Sequence, residues 1–133
     1  MNWRLENRSS FGNTLQQWWN ERDFVMAKEL LPERIYVVSG YSGMDLYAIP
    51  VYITDSEFAW MGFPTGNPRI KEVDSKTRTE ALNYLIEVIQ TTMKYQGYSR
   101  LFTTSFHPTI METLDNNGFT NAEQTNFYVK ILE

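Results

Sequence analysis

From Thr104 to Phe119 the chain reads TSFHPTIMETLDNNGF. It leads from the only histidine, His107, into Pro108, then through a short amphipathic run to Asn116-Asn117-Gly118. Proline suits a first helical turn, where its missing N–H would have no intrahelical partner. Glycine suits the residue after the last turn, because it adopts positive φ at least cost. The stretch therefore predicts a short helix over 108–117, opened by Pro108 and closed by Gly118. RLFTTSF (100–106) before it and FYVKIL (127–132) after it are rich in aromatic and β-branched residues and read as strands. A turn over 121–126 brings in the second of them.

Working toward the N-terminus, Leu82, Leu85, Ile86, Ile89 and Met93 recur at helical spacing, with Gly97 as the stop. PTGNPR (64–69) is a loop by composition. RIYVVSG (34–40), LYAIPVYIT (46–54) and EFAWMGF (57–63) form three successive strands, and Pro50 marks a bulge or an edge position. Two helices precede them, over 13–19 and 23–31, with Asn13 and Asp23 as caps and Pro32 as the stop. Trp3–Leu5 begins a short edge strand. Adjacent Trp18 and Trp19 cannot share one helix face, so one ring is expected in the core and the other at the surface. The order predicts an α+β fold with a mixed sheet, since a strand–helix–strand crossover makes its two strands parallel.

With 133 residues and no linker-like tract, the chain is expected to form a single domain over 1–133. A net charge of −4 argues against nucleic acid as a partner, because phosphate contacts need clustered Lys and Arg; the one basic run is 69–78. Absence of cysteine removes disulfides, thiolate metal sites and cysteine nucleophiles, and with one histidine no metal site is expected. No apolar run approaches the ~20 residues of a membrane span, and the N-terminus does not read as a signal peptide. A cytoplasmic protein without a membrane partner is the expectation.

The element order, and the spacing of Pro108 to Gly118-Phe119, resemble the GCN5-related N-acetyltransferase (GNAT) superfamily over about 34–132. Members often read Asn-Pro, several helical residues to a Tyr, then Gly-Phe; here His107 stands at the Asn and Leu114 at the Tyr. The resemblance implies a GNAT-like, acyl-CoA N-acyltransferase fold with a mostly antiparallel mixed sheet flanked by helices. It also implies acetyl-CoA as co-substrate and a small-molecule or protein amine as acceptor, with a homodimer as a common assembly. In such a fold the strand before the central helix parts from its neighbour, and the pantetheine arm lies in the gap. Trp60, Met61, Gly62 and Phe63 would then edge the gap, their amides polarising the thioester carbonyl. Lys76, Arg78, Thr79, Ala81 and Asn83 would surround the pyrophosphate at the helix N-terminus. The family has glycines where Ala81 and Asn83 stand.

For proton transfer Glu57 is the first candidate base, with a solvated residue at a strand start as the plain alternative. His107 could relay a proton or line the pocket; it could equally be a strand-end histidine bonded to backbone. Ser105, Tyr95, Tyr98 and Tyr128 carry the hydroxyls that could replace the family Tyr. Two function classes follow: an N-acetyltransferase, or a catalytically inactive module of the same fold that binds acyl-CoA or a protein partner. A third reading is an interaction protein only superficially similar to the family.

Overall fold

The computed structural model describes residues 1–24, 26–105 and 107–121, together with positions 128, 130 and 132. Among the described residues six strands form one sheet. β1 (Asn2–Glu6), β2 (Arg34–Ser39), β3 (Asp45–Ile53), β4 (Phe58–Met61) and β6 (Arg100–Thr103) lie side by side in that order, and β5 (Thr65–Gly66) pairs with β3. The β4–β6 pairing is parallel and the others are antiparallel. This is the expected α+β architecture with a mostly antiparallel mixed sheet. Most of the strand expected at 127–132 and of its turn at 121–126, namely 122–127, 129 and 131, lies outside the described residues.

Helix α1 (Arg8–Asn20) covers one face. Phe11, Leu15, Trp18 and Trp19 are buried there against Ile35, Val37 and Ala48. The other face carries α2 (Ser75–Tyr95) and α3 (Pro108–Asn116), with Leu82, Leu85, Ile86, Ile89 and Met93 packed on Val38, Ile49, Val51 and Met61. The helical spacing read along 82–93 is the buried face of α2. Gly118 follows α3 with φ of 83°, and the Phe119 amide donates to the Leu114 carbonyl at 3.0 Å. Among the described residues no helix is long and apolar enough to cross a membrane.

The N-terminal third departs from the expectation. α1 starts at Arg8, capped by Asn7 and not Asn13, and the predicted second helix is only a 3-10 turn at Lys28–Leu30. Asp23 does not cap a helix; its φ is 54°, and the Phe24 amide after it closes back on the Trp19 carbonyl at 3.0 Å. Phe24, Met26 and Leu31 pack over α1 without a helical period, while Leu30 stays exposed. Because this segment lies over one side of α1 and the sheet over the other, Trp18 and Trp19 are both buried, at 6% and 2% exposure.

Candidate active site

The site begins with a missing donor. Pro50 lies in β3, and its carbonyl accepts from the Gly62 amide at 2.7 Å on the side where β4 lies. Having no N–H, it gives β4 nothing in return, and the ladder stops at Val51↔Met61. Pairing resumes at Ala48↔Thr65. The three steps from 48 to 51 on β3 face the four from 61 to 65 opposite, so the second chain carries one extra residue, a bulge. Pro50 is thus at a bulge within a central strand, one of the two placements expected of it.

The bulge turns the chain away from β6, whose parallel pairing with β4 ends at Met61↔Thr103. Past that pair the two chains separate around a cleft of about 510 Å³. Phe63, Pro64, Thr65 and Gly66 line one wall, and Ser105, His107, Thr109, Ile110 and Thr113 the other. Ser75, Arg78, Thr79 and Leu82, which share one face of α2, line it from the helix side. Tyr47 of β3, Ile70, and Trp19, Arg22 and Phe24 at and beyond the end of α1 complete it. Phe24 meets Trp19 and Phe63 edge-on, with ring centroids 6.1 and 5.6 Å apart. The Trp19 indole N–H donates to the Thr65 hydroxyl at 3.0 Å, fixing the aromatic wall to the bulged chain.

The cleft's charge is opposite in sign to that of the chain. Its described lining includes two arginines and neither aspartate nor glutamate. Arg78 Nε is buried with no hydrogen-bond partner among the described residues. Burial pushes the Tyr47 hydroxyl's pKa up, and the positive charges of Arg78 and Arg22 partly offset the rise. Burial likewise lowers the pKa of the Arg22 guanidinium.

Of the residues expected at the site, Phe63, Arg78, Thr79, Ser105 and His107 line the cleft. The others lie elsewhere. Glu57 is exposed at the far end of β4, about 13 Å of strand from the cleft, and its carbonyl accepts from the Ser99 amide at 2.8 Å. Trp60 is half-buried and meets Phe102 edge-on at 6.1 Å, on the face opposite Ala59 and Met61. Met61 and Ala81 are core residues. Gly62 spends its amide on Pro50, which leaves only the Phe63 amide, of the four amides expected at the gap, both beside the cleft and without a backbone acceptor among the described residues. Lys76 is exposed outside the lining, and Asn83 accepts from the Asn117 side chain at 2.7 Å, tying α2 to α3. Leu114 points into the core, so α3 presents Thr109, Ile110 and Thr113 to the cleft in its place. Tyr95 and Tyr128 are exposed outside the lining, and Tyr98 packs at the edge of the core. Tyr47 and Arg22 were not anticipated. Strand alternation along LYAIP gives Tyr47 a face, but no local pattern marks Arg22.

No family model matches the chain, and no curated protein matches it. Solved structures do. A probable acetyltransferase superposes with a TM-score of 0.70 at 9% identity, covering 100% of this chain and 99% of that one. An aminoglycoside acetyltransferase from an uncultured soil metagenomic sample, in complex with sisomicin, gives 0.68 at 10% identity over 99% and 96%. Rv2747 from Mycobacterium tuberculosis, in complex with CoA and NLQ, gives 0.65 at 14% over 96% and 76%. The chain has the GNAT acyltransferase fold. Within that fold the cleft lies as a wedge between the parted strands β4 and β6, beside Pro50 and the bulge opposite it.

Proposed function

We propose that the protein is a GNAT-type N-acetyltransferase that moves an acetyl group from acetyl-CoA to an amine. The observation that carries this reading is Arg78, whose side chain lines the wedge beside the α2 N-terminus and whose buried Nε has no hydrogen-bond partner among the described residues. A buried polar donor without a partner is costly, and a bound anion would satisfy it. On this reading the pantetheine arm lies between the parted strands, and Arg78 and Thr79 face the phosphates. The Phe63 amide is the donor nearest the parting point and would polarise the thioester carbonyl.

In the reaction the amine nitrogen attacks the carbonyl carbon, the C–S bond breaks, and the CoA thiolate leaves with a proton. His107 lies on the wedge wall and is the group we assign to take the amine proton. Glu57 would need a chain of waters along the length of β4, so we give it no direct role. The amine itself is unassigned.

A second reading, a non-catalytic acyl-CoA-binding module, draws support from Leu114, which is buried where an acid would be wanted. Thermal unfolding with and without acetyl-CoA comes first. Ligand that binds only the native state raises the Tm, and Arg78→Ala should remove most of the rise. No rise at millimolar acetyl-CoA would sink both readings. Given a rise, acetyl transfer to a panel of amines that falls at least tenfold in His107→Ala identifies an enzyme; no turnover with any amine favours the module.

A further inference from the structure

We propose that the acceptor amine is carried on a flat apolar body, aryl or branched alkyl, which docks on a platform of aromatic rings at the mouth of the cleft. The inference rests on the acyltransferase reading for the amine; the platform itself is a site for an apolar group the size of a ring. Tyr52, Trp60 and Phe102 are register partners on three adjacent strands, Tyr52↔Trp60 between β3 and β4 and Trp60↔Phe102 between β4 and β6. They share the face that carries α1, because Ala59 and Met61 alternate with Trp60 and belong to the core under α2. Phe58, two residues before Trp60, joins them on that face. These rings are uncovered because α1 stops short of them. It packs on Ile35, Val37 and Ala48, and the chain after it makes one 3-10 turn, whose Leu30 carbonyl accepts from the Tyr52 hydroxyl at 2.9 Å. Tyr52, Phe58 and Trp60 are left half-buried and Phe102 is 43% exposed. A contiguous aromatic surface in contact with water is the mark of a binding site.

Ring geometry decides which chemistry fits. Phe58 and Phe102 stack on each other, with centroids 4.8 Å and planes 25° apart, and Trp60 meets Phe102 edge-on at 89°. The two phenyl rings fill each other's facing sides, so they do not enclose a cation between them. What they and Trp60 leave is apolar area, which a flat or branched hydrocarbon covers. Charge favours the same class. Arg100, the register partner of Phe58, is the one charged residue of β4 and β6. The described lining of the cleft adds Arg22 and Arg78 and no carboxylate. A polycationic acceptor would meet like charge there without a partner.

Position joins the platform to the reaction. The Trp60↔Phe102 pair stands one rung before Met61↔Thr103, past which the strands part. Tyr52 reaches further, since its Cε2 lies 3.3 Å from where a side chain on Gly62 would begin. Arg78 and Thr79 line the cleft from α2, on the opposite face of the sheet, so a donor held by them leaves the α1 face to the acceptor.

Acetyl transfer to phenethylamine, isoamylamine, ethanolamine and spermidine tests this, together with calorimetric binding of N-acetylphenethylamine, in the wild type, Phe102→Ala and Trp60→Leu. The aryl and branched amines should exceed ethanolamine and spermidine in kcat/KM by about tenfold or more, the return on burying a ring or a branched chain. Each variant should lose about tenfold in kcat/KM for phenethylamine and in affinity for its amide. Both should keep the acetyl-CoA thermal shift, which also shows that they fold. Equal use of ethanolamine, a preference for spermidine, no amide binding by the wild type, or amide binding indifferent to both substitutions overturns the platform; acetyl transfer to any amine then leaves the acyltransferase reading intact. Amide binding that depends on Phe102, with no acetyl transfer to any amine, leaves the platform standing and sinks the acyltransferase reading. A dimer in sedimentation that Phe102→Ala dissolves assigns the rings to a second copy of the chain and overturns the proposal.

Discussion

A methyl group on Gly62 would stand 2.8 Å from Pro50 Cγ and 3.1 Å from the Pro50 carbonyl oxygen, with Tyr52 Cε2 at 3.3 Å. None of these atoms is the free end of a flexible side chain, so β3 and the bulged chain must move apart to admit it. Gly62→Ala should therefore cost about 1–3 kcal/mol, the range for overpacking a close-fitted site. The strain falls on the bond beside the bulge, so on the acetyltransferase reading acetyl-CoA affinity should fall along with stability. Urea unfolding and the thermal shift on acetyl-CoA addition check the two halves. A variant as stable as the wild type would show that the Pro50 contact does not hold the chain in place. Gly118 is glycine for a different reason. A side chain there meets nothing within 4 Å, and the positive φ alone excludes other residues at low cost.

At the scale of elements, α1 shows how a helix can be read in the right region and given the wrong start. Asn7 accepts from the Ser10 amide at 2.8 Å, and the Ser10 hydroxyl accepts from the Asn7 amide at 3.0 Å, a reciprocal cap. Asn7→Ala should cost about 1 kcal/mol and lower the Tm by about 4 °C. Asn13→Ala, mid-helix and exposed, should lower it much less, and equal effects would contradict this assignment of the cap. The cap was legible as Asn7 followed three residues on by Ser10; Asn13 drew the start instead because asparagine is itself a favoured cap residue. In the segment after α1, Asp23 as a cap and Pro32 as a stop suggested a helix, yet Phe24, Met26 and Leu31 pack on the α1 cluster without one. Strands β2–β4, helix α2 and the Pro108–Gly118 unit were legible because their periods repeat or their end residues have one conformational use. The cleft was legible where it lies on or just beyond the predicted elements, as at Phe63, Arg78 and Ser105. Tyr47 and Arg22 lie 25 positions apart and come to the same cleft only in the folded chain, which no local pattern records.

For the molecule as a whole, the first strand must be held to a sheet whose later strands build the wedge. One side chain reaches across three strands. Arg4 of β1 donates from Nη1 to Asp45 Oδ1 at 2.7 Å and from Nη2 to Oδ2 at 3.0 Å, and the Ser39 hydroxyl of β2 donates to the same carboxylate at 2.8 Å. The bond set lies where the β2–β3 register shifts, between Val38 and Ser39. Burial raises the Asp45 pKa, but the bonds from Arg4 and Ser39 outweigh it, and the carboxyl ends below its ordinary value. Glu6 is lowered as well, first by the Ser10 hydroxyl and then by Arg4. A carboxyl that is more acidic folded than unfolded adds stability above its unfolded pKa of about 4. That stability is lost as pH falls through the folded value, because the native state must then take up protons it binds weakly. Stability to urea should therefore be flat from pH 7 to about 5 and decline below. Asp45→Asn should cost about 1 kcal/mol at pH 7, a modest figure because Arg4 is 41% exposed. Its acid decline should also be shallower, so that variant and wild type approach each other near pH 3. Parallel declines would assign the acid sensitivity to other carboxylates and leave the Arg4–Asp45 bond a geometric tie without a part in the pH response.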